Sequence, residues 1–145
     1  SEDLGFLIGD TARLMRRAFD ERVRTKGITR PQWRVLGLLN RFGGSSQVAL
    51  AEMMDVEPIT LGRMIDRMQD AGLVERRADP NDRRAWRVFL TPSGESRLED
   101  LKPLANELFA DAVSGLTDSQ QAELEAMLDI IRLNLTRRAP EAANG

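Results

Sequence analysis

The stretch that decides the fold runs from Gln47 to Thr91 and reads "QVALAEMMDVEPITLGRMIDRMQDAGLVERRADPNDRRAWRVFLT". Apolar residues recur in its first half at spacings of three and four, which predicts two short helices over about Gln47–Asp55 and Pro58–Ala71. The spacing then changes, because residues 86–91 alternate between two faces as a strand does. Two helices joined by a tight turn and followed by a β-hairpin indicate a helix-turn-helix with a wing.

The predicted hairpin has a basic tip. The turn-forming residues "DPND" lie between the strands "VERRA" and "WRVFLT", and residues 73–91 contain five arginines. Residues 1–91 carry 16 Lys and Arg against 13 Asp and Glu, whereas residues 92–145 carry 5 against 10. The first 91 residues are therefore basic although the net charge of the chain is −2. Binding to a polyanion depends on such local charge and not on the total.

The composition narrows the class of protein. A chain of 145 residues with 41% hydrophobic and 30% charged residues fits one folded domain with its own core. The absence of Cys and His removes disulfides, thiolate metal sites and the usual general base. We therefore expect no enzyme, no cofactor and no metal site. Because no membrane-spanning run or signal-peptide pattern is present, we expect a cytoplasmic, nucleoid-associated protein.

Helices are also predicted on both sides of this stretch. The first should run from Leu4 to about Lys26 and stop at Gly27, and a second should follow a capping box at Thr29 and run to about Arg41. A long helix should extend from Pro92 to about Ser114, and a last helix should follow a second capping box at Thr117–Gln120. The first and last helices have broad apolar faces that a monomer of this size would not cover, so we expect a partner chain.

The stretch from Leu50 to Gly94 resembles the MarR family of bacterial transcription regulators, and in particular its SlyA-like members. The resemblance rests on "GLVER", on the wing "DPNDRRA" and on "LTPSG", and it extends through "ITRPQWRVL" to nearly the whole chain. It implies a mainly α fold with a small β-hairpin wing, in which a winged helix-turn-helix module (29–91) lies between dimerisation helices (1–28 and 92–138). We expect residues 139–145 to be a disordered tail. The implied assembly is a homodimer on a pseudo-palindrome of double-stranded DNA.

The wing carries the strongest candidate contacts with DNA. Asp82-Arg83-Arg84 matches the family's Asp-x-Arg motif, which implies Arg84 in the minor groove with Asp82 orienting it through a salt bridge. Arginine suits that groove because it is weakly hydrated and pairs with phosphate. Arg83 and Arg87 are candidates for phosphate contacts. The alternative for each of these residues is a solvated arginine of a surface turn.

The second helix of the pair has an apolar side and a polar side. Leu61, Met64, Ile65 and Met68 are predicted to lie in the core. The polar side carries the candidate DNA contacts Pro58, Thr60, Arg63 and Arg67, and Gln47 is a candidate for phosphate at the start of the preceding helix. Arg63 matches a DNA-contacting arginine of SlyA-like proteins, and it could bind guanine or phosphate. We expect Asp66 to orient Arg63 or Arg67.

A small-molecule effector is also implied. Arg13, Arg16 and Trp33 match positions that contact aromatic carboxylates in SlyA-like relatives, and two cations beside an indole could hold such an anion. The alternative places Trp33 in the core and pairs the arginines with Asp10 or other acidic residues nearby. The leading hypothesis is thus a dimeric repressor or counter-silencer, relieved by an aromatic or anionic ligand. The alternative is a winged-helix module that binds protein, against which the basic wing argues.

Overall fold

The structure is a computed structural model that describes the backbone of residues 2–144 and the side chains of residues 3–136. Helices dominate, and a small sheet accompanies them, which confirms the predicted fold class. The elements are α1 (Glu2–Val23), a 3-10 turn (Arg24–Lys26), α2 (Arg30–Arg41), β1 (Ser45–Ser46), α3 (Gln47–Met54), α4 (Pro58–Asp70), β2 (Val74–Asp79), β3 (Asp82–Leu90), α5 (Pro92–Ala112) and α6 (Asp118–Asn144). None of the described helices is long and apolar enough to cross a membrane.

The helix starts and stops follow the capping chemistry of the sequence. The side chain of Thr29 accepts from the backbone N–H of Gln32, whose own side chain accepts from the N–H of Thr29, so the capping box is complete. Thr117 and Gln120 form the same pair of bonds. Gly27 adopts a φ of 69°, the left-handed conformation that ends helices, although α1 already tightens into a 3-10 turn after Val23.

The helix-turn-helix is closed by a sharp turn between α3 and α4. Asp55 ends α3 with a φ of 54°, a conformation that Asp tolerates better than most residues other than glycine. Pro58 then occupies the first turn of α4, where its missing N–H costs nothing. The apolar side of α4 is buried as predicted, at Leu61, Met64, Ile65 and Met68.

The sheet is antiparallel and has the order β1-β3-β2. The hairpin pairs Val74 with Leu90 and closes at Asp79 and Asp82, with an irregularity between Ala78 and Asp79. The strand β1 was not predicted, because two residues are too short to display a period. It pairs Ser45 with Val88 and so anchors the wing to the segment before α3.

The chain divides into two compact units, residues 1–108 and 109–145. The core of the first unit is built around fully buried side chains of α2, α3, α4 and α5, namely Leu36, Leu50, Leu61, Ile65, Met68 and Leu101. In the same unit, α1 leaves large apolar side chains exposed at Leu4, Phe6, Leu7, Ile8 and Leu14. In the second unit, α6 exposes Leu124, Met127, Leu128, Ile130, Ile131, Leu133 and Leu135. The predicted tail (139–145) lies beyond the last side chain described, that of Thr136, and Gly145 lies outside the described residues. The tail therefore stays a prediction.

Candidate nucleic-acid interface

The tip of the wing carries two exposed arginine side chains. Arg83 and Arg84 are exposed, and within residues 3–136 their side chains make no hydrogen bond or ion pair. The expected salt bridge between Asp82 and Arg84 is absent. Instead, the Asp82 carboxylate accepts from the backbone N–H of Arg84 at 3.0 Å. An Asp side chain reaches the backbone N–H two residues ahead more easily than it reaches the guanidinium at the end of that residue's side chain. Asp82 therefore shapes the backbone of the tip and leaves Arg84 available.

The outer face of α4 offers a second set of donors. Arg63 and Arg67 are exposed, and in the described part of the chain their side chains have no partner. At the start of the helix, Glu57 makes no capping hydrogen bond through its side chain, so the N–H groups of Ile59 and Thr60 find no acceptor among the described residues. Open amides and free guanidinium groups on one helix favour an anion such as a phosphate.

The base of the wing is held by Arg87. Its Nε lies 3.0 Å from a carboxylate oxygen of Asp79, and its Nη1 donates to the backbone oxygen of Gly44 at 2.8 Å. The backbone N–H of Asn81, together with this guanidinium, holds the pKa of the Asp79 carboxyl below its usual value. Arg87 was predicted as a phosphate contact, but two of its nitrogens bind Asp79 of the wing and Gly44 of the segment before β1.

Arg76, for which no role was predicted from the sequence, lies between the wing and α4 and contacts both. The Arg76 side chain is 17% exposed and forms an ion pair with Asp66 at 2.6 Å. It also donates to the side-chain oxygens of Gln47 and Gln69 and to the backbone oxygen of Gly62. Asp66 was expected to orient Arg63 or Arg67, and this was wrong, because Arg76 reaches it from the neighbouring strand.

These contacts change how Gln47 can act. Its Oε1 accepts from the Nε of Arg76, so the amide nitrogen is the side-chain atom left to donate. A signal for Arg76 did exist in the sequence. Strand alternation places it on the same face of β2 as the buried Val74, where an arginine needs partners.

The three residues expected to bind an effector are differently engaged. Arg13 is paired with Asp10 at 2.8 Å, which is the alternative interpretation for that residue. Arg16 is exposed. Trp33 packs on Phe19 with ring centroids 4.4 Å apart, and its buried indole Nε1 has no hydrogen-bond partner within the described part of the chain. Phe19 lies one helical turn after Arg16, so α1 brings an exposed cation, which has no partner among the described residues, near the ring of Trp33.

Comparisons with known proteins agree with this geometry. The model of the MarR family matches residues 28–86. The transcriptional repressor IacR of Pseudomonas putida is 33% identical over 105 residues, which are 72% of this chain; the match spans only 63% of IacR.

Two solved structures cover nearly the whole chain. A MarR transcriptional regulator from Methanosarcina mazei superimposes with a TM-score of 0.86 at 30% identity, covering 94% of this chain and 99% of that one. A mutant of MarR from Escherichia coli, solved in complex with operator DNA, gives a TM-score of 0.77 at 30% identity over 89% of this chain and 93% of that one. In both structures the similarity to this chain includes the winged module and the helices on either side of it.

Proposed function

The chain belongs to the MarR family, and from this premise we propose that it is a dimeric, sequence-specific DNA-binding regulator of transcription that acts as a repressor or counter-silencer. The observation that carries the proposal is the pair of unpartnered cationic surfaces on one module. Two arginines lie at the wing tip, Arg83 and Arg84, and two lie on α4, Arg63 and Arg67. None of these four guanidinium groups has a partner among the described residues. Buried or paired arginines would serve the fold, whereas free ones on a groove-sized helix and hairpin suit phosphate and base edges.

Each part of this surface has a proposed role. The helix α4 enters the major groove, with Arg63 and Thr60 towards base edges and with Pro58 and Arg67 beside the backbone. Arg84 enters the minor groove, and Arg83 lies along the phosphates. Gln47, Asp82 and Arg87 complete the surface, the first through its amide nitrogen and the other two by holding the wing.

The remaining parts of the proposal concern assembly and location. Residues 1–28 and 92–138 supply the dimerisation helices, and residues 29–91 the DNA-binding module. The apolar side chains exposed on α1 and α6 support this division. We include no catalytic role, because the chain lacks His and Cys and its relatives are regulators. A regulator of this kind acts in the cytoplasm, at the nucleoid.

A genomic selection tests the function directly. Fragmented genomic DNA is incubated with the protein, washed at graded salt and sequenced. We expect a palindrome whose half-sites are about one helical turn apart. The Arg84→Ala variant should bind that duplex about 10- to 100-fold more weakly, because a minor-groove arginine is lost. The control is Lys102→Ala, which removes the same charge from an exposed residue of α5 that is paired with Glu99.

The alternative, a winged helix that binds another protein, makes a different prediction. Binding to DNA should weaken with salt at a slope of about −0.9 per phosphate contacted. If no sequence is enriched, or if Arg84→Ala and Lys102→Ala behave alike, the wing does not bind DNA as proposed. The protein-binding module would then be the better explanation.

The effector forms a second part of the proposal. We infer that an aromatic carboxylate binds near Arg16 and Trp33 and releases the operator. The inference is supported by the Arg16 guanidinium and the Trp33 indole N–H, neither of which has a partner within residues 3–136. Benzoate should release the recovered duplex from the wild-type protein. About tenfold more benzoate should be needed for Arg16→Gln, because a charge-assisted hydrogen bond is lost. The control Arg17→Gln removes a neighbouring exposed cation; equal responses of the two variants would place the anion elsewhere.

A further inference from the structure

Arg76 joins four separate points of the DNA-binding module. One guanidinium contacts Gln47 at the start of α3, and Gly62, Asp66 and Gln69 along α4. Arg76 itself lies on β2, the first strand of the wing. A single side chain therefore connects both helices of the helix-turn-helix to the hairpin.

The shape of the guanidinium makes this connection directional. Its Nε, Nη1 and Nη2 donate in three directions within one plane, towards Gln47, towards Asp66 and Gln69, and towards the Gly62 oxygen at 3.0 Å. A planar group held at three nitrogens has one orientation, whereas an ammonium group would satisfy one or two of these acceptors without fixing the others. Because the Arg76 side chain is only 17% exposed, water does not readily take its place as the donor to the part-buried oxygens of Gln47 and Gly62.

The partners show why this matters for DNA. Asp66 lies on the outer face of α4, 62% exposed, between Arg63 and Arg67 in the sequence. A carboxylate there would repel phosphates or attract the neighbouring arginines, and Arg76 holds it towards the wing. The Gly62 carbonyl belongs to the turn of α4 that carries Arg63. Arg76 thus fixes the turn of the helix from which the proposed base contacts project.

We propose that Arg76 is a specificity-determining positioning residue: it sets the angle of α4 against the wing, so that the α4 side chains and Arg84 reach adjacent grooves in register. It does so without contacting DNA itself. The inference rests on the proposed DNA-binding function.

The test is Arg76→Lys, which keeps the charge and removes the planar fork. Two probes are compared: the duplex recovered from the genomic selection, and a scrambled duplex of equal length and composition. We expect affinity for the selected duplex to fall about tenfold or more, and affinity for the scrambled duplex to change less than about threefold, because misplaced base contacts lose discrimination while the total charge is kept. The slope of affinity against salt should stay unchanged.

The matched control is Arg77→Lys. Arg77 is the next residue of β2, but its guanidinium lies on the other face, paired with Glu75 and stacked over the Phe89 ring at 4.1 Å. This variant should discriminate between the two duplexes as the wild-type protein does. Hydrogen exchange without DNA supplies a second readout, in which amides of α4 should exchange faster in Arg76→Lys than in Arg77→Lys.

The outcomes distinguish a failure of this inference from a failure of the proposed DNA-binding function. A wild-type protein that binds both duplexes equally would overturn the proposed function, and the inference with it. If the wild-type protein discriminates and Arg76→Lys discriminates equally well, the inference alone is overturned. It is also overturned if Arg76→Lys weakens both duplexes by the same factor, because Arg76 would then contribute to DNA binding without regard to sequence, as a phosphate contact does. A loss of thermal stability with discrimination intact would reduce Arg76 to a structural residue.

Discussion

Replacing Gly94 with Ala is expected to lower the free energy of unfolding by about 3 kcal/mol. A Cβ atom built on Gly94 would lie 2.0 Å from the backbone oxygen of Leu73 and 3.2 Å from Cδ2 of Leu90. The obstacle is main chain, which no side-chain rotation relieves. The gain in helix propensity from Gly to Ala is about 1 kcal/mol at most, so the clash decides the sign.

The close approach at Gly94 is fixed by hydrogen bonds on both sides. The N–H of Thr91 donates to the Leu73 oxygen at 3.1 Å, and its hydroxyl donates to the oxygen of Gly72 while accepting from the N–H of Gly94. The start of α5 is thereby attached to the turn between α4 and the wing. Relieving the clash would require α5 to move away and to break these bonds.

Gly37→Ala is the control, because it is the same substitution in a different setting. Gly37 lies within α2, and nothing comes within 4 Å of its added Cβ. Alanine there should raise the free energy of unfolding by about 0.5–1 kcal/mol. Urea denaturation of both variants measures the difference, provided that the m-values match. Effects of the same sign in the two variants would contradict the close approach at Gly94.

The sequence was sufficient where the structure depends on neighbours in the chain. The capping boxes at Thr29 and Thr117 and the buried face of α4 follow from spacings of three and four residues, and all were confirmed. The wing was placed because residues 86–91 alternate. The contacts that could not be predicted join residues that are far apart in the chain. Gln47 and Arg76 are 29 residues apart, so the partners of Arg76 appear only once α3, α4 and β2 are packed.

The family motif also led to a wrong prediction at the wing tip. The motif Asp82-Arg83-Arg84 suggested an ion pair, but the carboxylate is used by the backbone of the turn. Likewise, Arg87 was grouped with Arg83 as a candidate phosphate contact, and its bonds to Asp79 and to the Gly44 oxygen show that it supports the wing. Charge and motif predicted which surface is functional; the hydrogen bonds divide its arginines into free and structural ones.

A single charged residue introduced on the apolar face of α6 should dissociate the dimer into single chains. Ile131 lies at the centre of that face, between Leu124, Met127 and Leu135, and is 37% exposed in the single chain. On a monomer, Ile131→Glu would be tolerated, because glutamate is a good helix former and the position is exposed enough for the carboxylate to reach water. In a dimer interface the carboxylate would be buried without a partner, at a cost of several kcal/mol. We therefore expect sedimentation to show one 16.3 kDa chain for the variant and twice that mass for the wild-type protein.

The loss of the dimer should also reach the DNA. Two linked modules bind a palindrome about 10²- to 10⁴-fold more tightly than one, because the second contact is intramolecular. Ile131→Glu should lose that factor on the full palindrome and retain the wild-type affinity of one module for an isolated half-site. Arg132→Gln is the control, since it changes the net charge equally on the polar side of α6, where Arg132 is 70% exposed and paired with Asp129. If Ile131→Glu sediments as the wild-type protein does, the exposed face of α6 is not the interface, and the apolar side chains of α1 become the remaining candidate.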